Sequence, residues 1–211
     1  MSANPAPTMR RYDCMLALAP MITDHLIVGN VARTSFELYA VMPREGNIYT
    51  MGMGLVTPLC VGLALAQPDR QVIAFDGDGS MLLNLGVLAT IGNTPLPNLT
   101  SIVFDNQSYA STGGLPTASG GETDIAGMAK AAGIGHAVTV WTVAEFMAAA
   151  TRALTQPGPS VIVAKVTKES PDVAPKLMDG RENKYRFVRY IEETSGQTVL
   201  KPSIVGRKGA E

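Results

Sequence analysis

The stretch FDGDGSMLLNLG, residues 75 to 86, places Asp78 between Gly77 and Gly79 where an apolar run gives way to a helical pattern. Glycines on both sides let a backbone turn sharply and approach a ligand closely. A helix starting near Ser80 aims its unpaired N–H groups and positive dipole end back at that turn, which suits a phosphate. A carboxylate beside a bound diphosphate repels it unless a cation lies between them. Asp78 therefore reads best as a ligand to a hard divalent ion, although Asp-Gly alone is also ordinary turn chemistry. A second element narrows the reading. The apolar run LTSIVF ends in Asp105-Asn106-Gln107-Ser108, and Asn106 follows Asp78 by 28 residues. That interval holds one helix, a loop and a return strand, which brings both turns to one sheet edge. An amide oxygen and a backbone carbonyl are hard donors that complete a magnesium shell with phosphate oxygens.

The elements that must position these turns follow from periodicity. Short runs rich in Val and Ile predict strands at His25–Val28, Asn47–Thr50, Gln71–Phe75, Thr100–Phe104, Ala137–Val140 and Val161–Val166. Helical spacing predicts Arg33–Val41, Val56–Ala66, Met81–Gly92, Asp124–Ala132 and Val143–Leu154, and a charged amphipathic closing helix from Asp179. Continuous apolar strands such as VIAF and SIVF imply burial on both faces. The expectation is a doubly wound α/β domain with a mainly parallel sheet, helices on both faces and ligands at the carboxyl ends of the strands. Domain limits of 22–195 follow, preceded by an N-terminal helical arm (1–21) and followed by a flexible tail (196–211), polar from Lys201 onward. Residues 107–121, QSYASTGGLPTASGG, form an irregular loop of a length that is often functional, with a plain surface excursion as the alternative.

Bulk properties exclude several classes. At 211 residues the chain has room for one well-buried domain, and a net charge of −1 gives no reason to expect a nucleic-acid or membrane-surface partner. Cys14 and Cys60 lie far apart with no CxxC, which points to two reduced, packed thiols in a cytoplasm. The first residues lack a signal-peptide layout, and no run of about 18 apolar residues suggests a membrane span. Eleven Met and 21 Gly against five Phe suit close packing and large subunit contacts. His25 and His136, each at the start of a strand, read as structural rather than proton-transferring groups.

GDG followed after 28 residues by Asn resembles the diphosphate-binding motif of thiamine diphosphate enzymes. The family usually shows Asn-Asn where this chain has Asp105-Asn106. The resemblance implies that Asp78, the Asn106 side chain and the Ser108 main-chain carbonyl hold Mg2+. It also implies that Gly77, Gly79, Ser80, Tyr109 and Ala110 line the cofactor. Upstream, YTMGMGLVTPLCVGLALA resembles the family's aminopyrimidine turn. There Met53 would support the bent cofactor and the Met51 carbonyl would meet its exocyclic amine, with Gly52 between them. Without the family, Met53 is a core residue.

More narrowly, GDGSMLLNLGVLATIGN with YASTGGLPTAS resembles the beta subunits of sulfopyruvate decarboxylases and the related phosphonopyruvate decarboxylases, over roughly residues 22–195. That group has Gln where this chain has Leu115, while Ser111, Thr112, Gly113, Pro116 and Thr117 match. Ser111 and Thr112 become candidate anchors for an acidic 2-oxo acid, beside Met53 and Tyr109 at the reacting end. The loop carries no Arg or Lys, which points to a partner for stronger charges. The family needs a Glu to activate the cofactor, placed on a second domain of similar size. Neither Glu37 nor Glu45 matches that role, so the resemblance implies an alpha subunit that carries it. A carboligase subunit of the acetolactate synthase kind and a non-catalytic cofactor-binding subunit remain alternatives.

Overall fold

The computed structural model describes residues 6–175 and 179–200. Among these residues six strands form one sheet: β1 (Leu26–Asn30), β2 (Asn47–Met51), β3 (Val72–Gly77), β4 (Leu99–Asp105), β5 (His136–Val140) and β6 (Ser160–Lys165). Every pairing is parallel, and the order is β2-β1-β3-β4-β6-β5. The chain winds outward from β1 in both directions, so the order reverses between β1 and β3. Such a switch point opens a crevice at the carboxyl ends of the two strands.

Among the described residues eight α-helices pack around the sheet: α1 (Arg11–Leu18), α2 (Arg33–Val41), α3 (Val56–Ala66), α4 (Asp78–Leu83), α5 (Gly86–Gly92), α6 (Ile125–Ala131), α7 (Val143–Thr155) and α8 (Gly180–Ser195). Alternate strand residues feed two separate cores. Leu26, Val28, Val72, Ala74, Val103 and Val163 pack with Cys60 and Ala64 of α3, Ala129 of α6 and Phe187 of α8. Ile27, Ile73, Phe75, Ile102, Phe104 and Ile162 face the other way, onto Cys14 and Leu18 of α1, Leu38 of α2 and Phe146 of α7. Both faces are dry, which is why the strands read as unbroken apolar runs. Cys14 and Cys60 are buried free thiols, and burial pushes the Cys14 thiol up to about 12.

The expected elements are present, with three differences that bear on the site. The single helix expected over Met81–Gly92 is two. It starts earlier, at Asp78, and breaks at Asn84, whose φ of −142° and ψ of 54° leave the helical region. There Asn84 Nδ2 donates to the Gly54 carbonyl at 3.0 Å, while Gly54 N donates to Ser80 Oγ at 2.9 Å. The break thus ties the β2–α3 turn to α4. β3 runs on to Gly77 and β4 to Asp105, so both motifs begin inside the last rungs of the sheet. Residues from Lys201 lie outside the described part, and among the described residues no helix is long and apolar enough to cross a membrane.

Candidate functional site

A cavity of about 610 Å³ opens at the carboxyl ends of β1, β3 and β4, at the switch point. Its wall includes Met53, Gly77, Asp78, Gly79, Ser80, Asn106, Ser108, Tyr109, Ala110 and Ser111. The structure therefore gathers most of the residues singled out from sequence. Three lie outside the lining in this chain: Met51 packs against the core, Gly52 precedes Met53 in the turn, and Thr112 is an exposed loop residue.

Asp78 is the first residue of α4 and is 3% exposed. Thr117 Oγ1 donates to its Oδ2, and Ser119 Oγ lies 3.0 Å from the same oxygen. Ser119 Oγ is also 2.8 Å from Asp105 Oδ1, yet a hydroxyl has one proton and can serve only one of the two acids at a time. Burial pushes the Asp78 carboxyl up, the Thr117 hydrogen bond opposes this, and the nearby Asp105 charge pushes it further up. Among the described residues no Lys or Arg is hydrogen-bonded to Asp78.

Asp105 accounts for the departure from the usual Asn-Asn pair. It stands beside Lys165 in the register of β4 and β6, and Lys165 Nζ donates to its Oδ2 at 2.6 Å. Lys165 also donates to the Ser119 carbonyl at 3.1 Å, so the loop that serves Asp78 is pinned to the same ammonium.

The glycines around Asp78 act differently from the turn expected of them. Gly77 is extended, with φ of −119°, and a Cβ there would press to 3.2 Å on Asn30 Nδ2. A Cβ on Gly79 would collide with the Tyr109 ring. Close packing of Asn30 and Tyr109 against the strand end, not a left-handed turn, is what requires them.

Left-handed backbone occurs elsewhere on this edge. Among the described residues the positive-φ positions other than glycine are Ala32 (56°), Thr50 (61°) and Gln107 (58°), at the ends of β1, β2 and β4. Such conformations cost on the order of 1–3 kcal/mol each and concentrate at functional sites. At Gln107 the turn lets Ser108 N donate to Asn106 Oδ1 at 3.0 Å while Gln107 N donates to Asp105 Oδ1 at 3.0 Å. Asn106 and Ser108 are thereby held in one tight loop beside Asp78. A carboxylate, an amide oxygen and a main-chain carbonyl form the oxygen-only donor set of a hard divalent cation.

Other groups went unnoticed in the sequence. Asp76, 1% exposed, accepts from Thr57 Oγ1 at 2.8 Å and from Gly77 N at 2.9 Å. Asn30, 3.4 Å from Asp76, lines the cavity, as do Arg11, Arg33 and Lys168. Three cations of this chain thus line the cavity, far in sequence from the Gly-rich loop, which itself carries no Arg or Lys. No spacing rule gathers these groups, which come from elements distant in sequence. His25 and His136 sit at the opposite ends of the strands. His136 Nδ1 is 2.8 Å from Ser160 Oγ and His25 Nδ1 accepts from Thr23 N at 3.2 Å, in keeping with structural roles.

Comparison with known proteins agrees with this geometry. The beta subunit of sulfopyruvate decarboxylase from Methanococcus maripaludis is 37% identical over 186 residues, 88% of this chain and 99% of that protein. Phosphonopyruvate decarboxylase from Streptomyces viridochromogenes is 35% identical over 69% of this chain and 36% of its own length. Benzoylformate decarboxylase from Polynucleobacter necessarius shares the fold with a TM-score of 0.69, at 24% identity; 83% of this chain matches 36% of that one. Residues 28–164 match the model of the family described as thiamine pyrophosphate enzyme, C-terminal TPP binding domain, and the chain belongs to that family.

Proposed function

We propose that this chain is the beta, cofactor-anchoring subunit of a thiamine diphosphate- and Mg2+-dependent decarboxylase (a carboxy-lyase) of the cytoplasm. Its substrate is an acidic 2-oxo acid such as 3-sulfopyruvate, and it works with an alpha subunit of similar size that supplies the activating Glu. The observation that carries this reading is Asp78, buried at the start of α4 and sharing one cavity with Asn106 and Ser108. The names of the relatives supply the class of reaction and the pairing of subunits.

In this reading Asp78, Asn106 Oδ1 and the Ser108 carbonyl hold the metal, and Gly77, Gly79 and Ser80 face the diphosphate. Met53, held by the ties between Gly54 and α4, props the cofactor from the β2–α3 turn, with Met51 and Gly52 beside it. Tyr109, Ala110, Ser111 and Thr112 border the reacting end. When bound, thiamine diphosphate supplies the carbon nucleophile and electron sink that let a 2-oxo acid lose CO₂. This chain's part is to fix the metal, orient the cofactor and exclude water.

An activating Glu from elsewhere is consistent with what the named Glu residues do here. Glu37 is fully buried and held by Arg11 Nε and Nη2, both at 2.8 Å, and Glu45 pairs with Arg186 at 3.1 Å.

The test is co-expression with the chain encoded next to it, followed by assay with 3-sulfopyruvate, phosphonopyruvate and pyruvate. The expected outcome is CO₂ and an aldehyde from the acidic substrate, from the mixed complex alone, and only with Mg2+ and thiamine diphosphate present. No CO₂ from any 2-oxo acid refutes the reading, and a condensed product in place of the aldehyde makes it a carboligase.

A further inference from the structure

The cavity wall is electrically lopsided. Asp78 is its one acid among the described residues, whereas three cations line it: Arg11, Arg33 and Lys168. None of the three comes from the glycine motif or the loop after β4. Arg11 belongs to α1, Arg33 opens α2, and Lys168 lies on the segment that leaves β6 and crosses back toward α2.

The three differ in how far their charge is already spent. Arg11 is neutralised by its two hydrogen bonds to Glu37, which also accepts from Ser170 Oγ. This knot fastens the segment carrying Lys168 to α1 and α2. Arg33 Nη1 donates to the Pro171 carbonyl at 3.5 Å. Among the described residues, neither Arg33 nor Lys168 makes an ion pair with a carboxylate. Two uncompensated cations thus line one cavity, Arg33 from the start of α2 and Lys168 from the braced segment, and both are solvent-exposed in this chain. An anion entering there meets a donor fork and an ammonium together.

Resting on the reading of the cavity as a decarboxylase site, we infer that Arg33 and Lys168 form a second anion subsite, apart from the diphosphate cradle. It takes the tetrahedral oxyanion, sulfonate or phosphonate, at the far end of the 2-oxo acid. Arg11, Glu37 and Ser170 position the subsite without touching the substrate. The subsite favours substrates bearing a second strong acid over pyruvate, and it supplies from this chain the charge that the loop of residues 107–121 lacks.

The test uses the Arg33→Met/Lys168→Met double variant of the full chain in its complex with the partner, with two readouts. The first is the ratio of kcat/KM for 3-sulfopyruvate to kcat/KM for pyruvate, expected to fall about 100-fold, roughly tenfold for each lost charge-assisted contact. The second is calorimetric binding of 3-sulfopropanoate, an unreactive acid with the same sulfonate, to the complex loaded with Mg2+ and thiamine diphosphate. That binding is expected to weaken at least about tenfold, while thiamine diphosphate affinity changes less than about threefold. An unchanged 3-sulfopropanoate affinity overturns the subsite. So does an equal loss of thiamine diphosphate binding, which would make the two cations diphosphate ligands. If the wild-type complex releases no CO₂ from any 2-oxo acid, the decarboxylase reading fails, and 3-sulfopropanoate binding still decides the subsite. Both side chains are exposed, so matching thermal melts of variant and wild type are expected.

Discussion

Asp78 and Asp105 end or follow neighbouring strands, are both buried and share the hydroxyl of Ser119, yet they sit in opposite electrical conditions. Asp105 has a permanent counter-ion, Lys165 at 2.6 Å, supplied by the next strand in register. Among the described residues Asp78 receives neutral donors only, the hydroxyls of Thr117 and Ser119 and the Gly79 backbone, and its carboxyl is pushed up by burial and by Asp105. On the proposed reading, a fold that neutralises one acid of a close pair with lysine and leaves the other to neutral donors has reserved the second for an exchangeable cation. On that reading the contrast separates a charge kept for structure from a charge kept for a ligand.

The largest effect should come from removing the reserved charge. Asp78→Ala is expected to weaken Mg2+-dependent thiamine diphosphate binding by roughly 100-fold or more, beyond what loss of an outer-shell partner brings. Calorimetric titration reads it, and retained affinity would break the metal assignment. The isosteric Asp78→Asn should meanwhile leave the cofactor-free chain about 1 kcal/mol more stable, because a buried carboxylate without a cation is gone.

Removing the permanent counter-ion should do the reverse. Lys165→Met strands Asp105 in the interior and is expected to cost about 3–5 kcal/mol in urea unfolding. Adding Asp105→Asn to that background should recover most of the loss, since the two residues act as one unit. If Lys165→Met alone leaves the unfolding midpoint in place, the two acids are not distinguished as described. Smaller again is Thr117→Val, which deletes a donor to Asp78 while leaving its carboxylate. Cofactor affinity should fall about tenfold, between wild type and Asp78→Ala.

The same contrast marks how much was legible in the sequence. Strand and helix periods are local, so the alternation and the limits of α2 and α3 could be read directly. The spacing from Asp78 to Asn106 measures one βαβ unit, so it too survived in linear form. Pairing across the sheet did not. Asp105 and Lys165 are joined by the register of β4 with β6, between which the chain makes β5, and nothing local encodes that register. Arg11, Arg33 and Lys168 meet at one cavity for the same reason. The break at Asn84 was hidden because a side chain bonding to the Gly54 carbonyl overrides helical spacing. The glycines stand out in the sequence, but the neighbours that press on them, Asn30 and Tyr109, are distant in the chain and cannot be read there.

The amino ends of the strands provide a control for the acid pair, and the smallest effect. His25 precedes β1 and is 8% exposed. Burial pushes its pKa below the usual histidine value, opposed by Asp24 and aided by Arg44. The folded chain therefore favours neutral His25. Its contribution to stability is fully present above the unfolded histidine value of about 6.5 and is lost as pH falls from there through the lowered folded value. Between about pH 7.5 and pH 5.5 the wild-type unfolding midpoint should fall more than that of His25→Gln, which has no imidazole to charge. Thiamine diphosphate affinity should be the same in both proteins at pH 7.5, because His25 lies at the end of the sheet away from the cavity. Parallel pH profiles would show that the imidazole is not held neutral by burial. A difference in cofactor affinity would show that the two ends of the sheet are coupled.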